Sequence, residues 1–142
     1  MDSARQAWMR AVVVALCLLA ATACDESQTG PTVGLNERFT LAPGSVAAIR
    51  DADVRVRFDD VTGDSRCPAD AVCIQAGDAL VHIRVSEDGS TDSYVLRTGD
   101  SSRAVVVHGD VRIALLELQP YPFSNRTIAP GDYRATFSVS RP

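Results

Sequence analysis

The 142-residue chain contains no lysine: all fourteen of its basic residues are arginine. A high-GC genome would produce that bias through codon usage. Clustered positive charge is missing as well. Formal net charge is −4, and Arg55, Arg57, Arg84 and Arg97 are interspersed with Asp59, Asp60, Glu87 and Asp88. Phosphate binders need a concentrated basic surface, so this distribution argues against nucleic acid as a partner. Histidine is scarce, with only His82 and His108. Neither lies in a recognisable catalytic motif. From Leu35 onward, no stretch repeats its apolar residues at helical spacing. No apolar run approaches the roughly 20 residues that a membrane-spanning helix requires. The longest, AVVVALCLLAATA, covers Ala11 to Ala23.

That run does have a meaning. It follows a ten-residue start carrying Arg5 and Arg10 and ends in small residues, the layout of a secretory signal. Residues 1–23 are therefore expected to be removed on export. LAATAC, ending at Cys24, resembles a bacterial lipobox, with Ala21 where leucine is usual. On that reading Cys24 becomes the acylated first residue and anchors the protein to a membrane. The ATA before Cys24 also fits ordinary cleavage, which would leave a free thiol. Cysteine arithmetic favours acylation: Cys17 leaves with the signal, and pairing Cys67 with Cys73 leaves Cys24 over. Residues 24–34 are polar with Gly and Pro and read as a flexible tether. The expected location is the periplasm or the outer face of the cell envelope.

Residues 35–142 read as one all-β domain. Val54, Val56 and Phe58 alternate with Arg55, Arg57 and Asp59. Ala79, Val81, Ile83 and Val85 alternate with Leu80, His82 and Arg84, and Tyr133, Ala135, Phe137 and Val139 share one face. Period-2 alternation marks strands with one buried and one solvated face. His108-Gly109-Asp110-Val111 has glycine first in a two-residue loop, the signature of a type II′ hairpin. His108–Leu116 is apolar on both faces and is expected to be a central strand. About eight strands in just over a hundred residues suit an antiparallel two-sheet β-sandwich of immunoglobulin-like architecture.

RCPADAVCIQAG, Arg66–Gly77, lies in the longest break in this rhythm. A zinc site wants four N or S ligands, and C-x5-C is wider than usual zinc spacing. A thioredoxin-type pair would be C-x-x-C at a helix start. A cysteine nucleophile would need a base and a group to orient it. A structural disulfide between Cys67 and Cys73 needs only export and a turn, which Pro68 and the following polar residues favour. Closing seven residues contributes about 2.4 kcal/mol in the chain-entropy picture. A pinned surface loop is a natural place for binding. The candidate contact residues are Asp64, Arg66, Asp70, Gln75 and Tyr121. Each also has a plain structural reading: an internal Asp64–Arg66 pair, or Tyr121 packed as a corner between two prolines. Asp59, Asp60, Asp64, Asp70 and Asp78 crowd the same region. A calcium site is conceivable there, but a solvated acidic loop explains the crowding as well.

D-S-R-C-P-x4-C-I-x-A-G at Asp64–Gly77, with the later Leu118-Gln119-Pro120-Tyr121-Pro122, resembles a family of uncharacterised bacterial secreted proteins and lipoproteins. Those proteins pair an RCP…C-x-W-x-G loop with L-x-P-Y-P. The resemblance spans roughly Phe39 to Val139 and implies export and a shared fold, with no assigned activity. The position of the family tryptophan is Gln75 here. Together these features predict a non-catalytic envelope lipoprotein without cofactor or metal, binding a protein or an envelope component. The rival readings are a loop-based inhibitor of a secreted protease and a metal-dependent hydrolase using the aspartates.

Overall fold

A computed structural model describes residues 29–142. The signal sequence, Cys24 and the first part of the expected tether lie outside the described residues. The described residues form nine strands and one short 3-10 turn, Pro130–Asp132. The strands are β1 Thr29–Val33, β2 Arg38–Leu41, β3 Val46–Ile49, β4 Val54–Thr62, β5 Leu80–Glu87, β6 Ser90–Arg97, β7 Val105–His108, β8 Val111–Gln119 and β9 Arg134–Ser140. The fold is all-β, as the alternation requires.

Two corrections apply at the start of the chain. Part of the expected tether belongs to the domain, because Thr29–Val33 forms a strand. It pairs with β3 in parallel, so the sheets are mostly, and not wholly, antiparallel. Pro31 is tolerated because β1 is an edge strand, where a missing N–H breaks no ladder.

One sheet has the order β1-β3-β4-β5-β6 and the other β2-β9-β8-β7. The runs β3 to β6 and β7 to β9 are meanders, each strand pairing with the next in sequence. Immunoglobulin order alternates between sheets, so the strand order departs from that expectation. Both sheets contribute to a single core. Phe58 and Phe137 come from opposite sheets, are fully buried, and meet edge to face with ring centroids 6.2 Å apart. Every residue of the three alternating inward sets, from Val54 to Val139, is buried.

Two bulges shift the inward phase. On β8 the register slips between Leu115 and Glu117, which puts both Leu115 and Leu118 inside and leaves Leu116 exposed. β8 is the expected inner strand, but its outer face is not buried at Leu116. On β4 the slip lies between Phe58 and Asp60. Asp59 there accepts hydrogen bonds from Arg57 and Arg84.

The turns follow their chemistry. Gly109 alone has positive φ in the β7–β8 hairpin, as a type II′ turn requires. Asp88 and Gly89 are both positive, so the β5–β6 connection is a two-residue type I′ turn. The polar stretch Ser90–Asp92 belongs to β6. No described helix is long and apolar enough to cross a membrane.

Candidate functional site

Two long connections meet at one end of the domain: Gly63–Ala79 between β4 and β5, and Pro120–Tyr133 between β8 and β9. Cys67 and Cys73 form a disulfide with Cα atoms 6.0 Å apart. The bond closes the small loop expected from the sequence and fits an oxidising compartment.

Arg66 ties the two connections together. It is 7% exposed. Nε and Nη2 donate to the two carboxylate oxygens of Asp64 at 2.9 and 2.7 Å. Nη1 donates to the Leu118 carbonyl at 2.6 Å, and Nη2 also to the Pro120 carbonyl at 2.9 Å. Four of the five guanidinium hydrogens are thus committed. The fifth side of the group is covered by Tyr121, whose ring centroid lies 5.1 Å from Cζ. Tyr133 donates from its hydroxyl to Asp64 at 3.0 Å. A buried charge persists only when it is paired and hydrogen-bonded, and both conditions are met here.

Burial works to raise the Asp64 carboxyl, but the bonds from Arg66 and Tyr133 outweigh it and hold the group below the ordinary carboxylate value. The Tyr133 phenol is pushed up to about 12 by its own burial and by the neighbouring Asp64 carboxylate. A second clamp lies further out. Asp70 accepts from the backbone N–H of Ser124 at 2.9 Å and from its hydroxyl at 2.5 Å. These bonds lower the Asp70 carboxyl. The Ala69 N–H donates to the Pro122 carbonyl at 2.9 Å.

The five candidate contact residues therefore separate. Asp64 and Arg66 bind each other, and Tyr121, about half exposed, meets the guanidinium with its ring. Asp70 joins the loops. Gln75 is exposed and takes no part in the network. The aspartates do not converge: Asp59 serves Arg57 and Arg84, Asp64 serves Arg66, and Asp78 pairs with Arg97. Among the described residues, no three His, Cys, Asp or Glu side chains are grouped to hold a metal ion. The histidines stand apart as well. His82 Nε2 lies 2.7 Å from the Thr62 hydroxyl, while His108 is buried against Tyr94, Glu87 and Asp92.

Sequence reasoning missed two groups of residues here. Tyr133, Ser124 and the carbonyls of Leu118 and Pro120 lie 52 to 69 positions from their partners, and no local pattern points to them. Val72 and Ile74 flank Cys73 and are fully exposed, at 103% and 105%. Their signal was present: two branched aliphatic residues at the closure of a ring too small to fold over them.

The arrangement defines a class: a disulfide-pinned all-β domain with two loops bolted together at one end. No family model, curated protein or solved structure matches the chain.

Proposed function

We propose that this chain is a cell-envelope lipoprotein, acylated at Cys24, whose β-sandwich domain is a non-catalytic binding or scaffold module. Its partner would be a protein or another envelope component. The observation that carries the reading is the commitment of the polar groups in the loops. Arg66 and Asp64 bind each other and the facing loop, and the sulfurs of Cys67 and Cys73 bind each other, so the groups best suited to chemistry maintain shape. The lipobox-like LAATAC and the resemblance to secreted bacterial lipoproteins support export and anchoring.

The test is metabolic labelling with a clickable fatty acid in a bacterial host, followed by membrane fractionation. The wild-type chain is expected to carry label and sediment with membranes. Cys24→Ser is expected to lose both properties. Equal labelling of the two chains would overturn the anchor. Turnover of a substrate by the purified domain would overturn the non-catalytic assignment. Inhibition of a secreted protease would replace it with the loop-inhibitor reading.

A further inference from the structure

We infer that the disulfide loop is a membrane-contact element, with Val72 and Ile74 entering the lipid headgroup region beside the N-terminal anchor. The inference rests on the proposed acylation of Cys24. It deepens that reading by saying which end of the domain meets the bilayer.

β1 enters its sheet with Thr29 level with Val46, and Val46 is level with Arg57 of β4. β4 then continues to Thr62, opposite Leu80 at the start of β5. The chain thus enters the domain from the end that carries the disulfide loop. The β3–β4, β5–β6 and β7–β8 turns lie at the other end.

Lengths sharpen the point. Four residues, Asp25 to Gln28, separate Cys24 from Thr29. Five Cα steps at full stretch span about 17 Å. β4 runs past the level of Thr29 by four ladder steps, Arg84 to Leu80 on the facing strand β5, about 13 Å along the sheet. A taut tether therefore reaches only about 4 Å past the base of the loop. With the strands upright on the membrane, anything projecting further than that meets the headgroups. The tether, shortened by the unexpected β1, is too short to hold the loop clear.

What projects there has the right chemistry. Val72 and Ile74 are as exposed as side chains in an extended chain. Val72 lies inside the Cys67–Cys73 ring and Ile74 directly after it. Tyr121 and Phe123, about half exposed, stand on the facing connection, held beside the ring by the Asp70–Ser124 and Ala69–Pro122 bonds. Aliphatic tips with an aromatic flank suit the interface, where apolar groups leave water and a tyrosine hydroxyl stays wet. Asp70 is the one carboxylate in this clamp, and it favours zwitterionic over anionic headgroups.

The test uses the mature acylated protein. Trp8 is the only tryptophan of the chain and lies in the segment read as signal. A single introduced tryptophan therefore reports alone. Ile74→Trp reads the loop, and Val107→Trp reads an exposed site near the opposite end. Each protein is reconstituted into phosphatidylcholine vesicles with brominated acyl chains. Fluorescence of Ile74→Trp is expected to be quenched several-fold more than that of Val107→Trp and shifted to the blue. Equal quenching, or none at either site, overturns the contact. The intact mass of the same preparation separates the two failures. With lipid on Cys24 and an unquenched loop, the contact fails alone; without lipid, the anchor and the contact fall together.

Discussion

Replacing Arg66 by methionine is the most informative single change to the domain. Methionine keeps much of the apolar stem and removes every guanidinium bond. The substitution leaves the Asp64 carboxylate, whose side chain is 11% exposed, with the Tyr133 hydroxyl as its remaining side-chain donor. It also strips a donor from the carbonyls of Leu118 and Pro120. Breaking one side of a buried ion pair costs about 3–5 kcal/mol, because the surviving charge is stranded. Total stability for a domain of this size is roughly 5–15 kcal/mol. At about 4 °C per kcal/mol, the melting temperature should fall by roughly 12–20 °C.

Urea unfolding of Arg66→Met, Asp64→Asn and the double variant tests this. The double variant is expected to be more stable than Arg66→Met alone, since it no longer buries an unpaired charge. Acid adds a second readout. The Asp64 carboxyl is held low in the folded protein. Its stabilising contribution is complete above the unfolded value of about 3.9 and is lost as pH falls through the lower folded value. In Arg66→Met burial acts without the guanidinium, so acid unfolding should start at higher pH. A cost for Arg66→Met below about 1 kcal/mol, the level of an exposed pair, would refute the assignment of Arg66 as the bolt between the loops.

Three further outcomes are expected. Changing Cys67 and Cys73 together to serine should cost about 2.4 kcal/mol in urea unfolding, and reducing agent should then no longer affect stability; retained stability would show that the ring is held without its sulfurs. Phe137→Ala should cost roughly 3–5 kcal/mol, because Phe137 is fully buried between Phe39 and Phe58 at 5.9 and 6.2 Å; a loss typical of a surface site would show that the sheets are not joined there. In ultraviolet titration one phenol should ionise near 12 and disappear in Tyr133→Phe. Because the folded value is raised, its contribution is present below the unfolded value of about 10 and lost as pH rises through the folded one.

The parts of this fold legible in the sequence were those with local causes. Val54, Val56 and Phe58, or Tyr133 to Val139, alternate because one sheet face is buried, and all of them point inward. Gly109 marks its hairpin because only glycine enters that turn without strain. The disulfide followed from counting sulfurs. What remained hidden depends on partners distant in sequence. Thr29–Val33 reads as a linker and becomes a strand only because β3 offers a free edge. Ser90–Asp92 is polar because β6 is an edge strand, where polar residues discourage further pairing. The Leu116 bulge breaks a pattern that sequence alone extends without interruption. Asp64 and Arg66 are adjacent enough to suggest an internal pair, yet the carbonyls and phenol that complete the site come from β8, the β8–β9 connection and the residue just before β9.

The central claim is that the mature protein carries lipid on one sulfur and joins the other two to each other. Intact-mass measurement on protein taken from the envelope without reduction tests it most directly. The expected result is a chain beginning at Cys24, heavier by its acyl groups and two hydrogens short of the reduced mass. An unacylated chain with thiols free at Cys67 and Cys73 would contradict it.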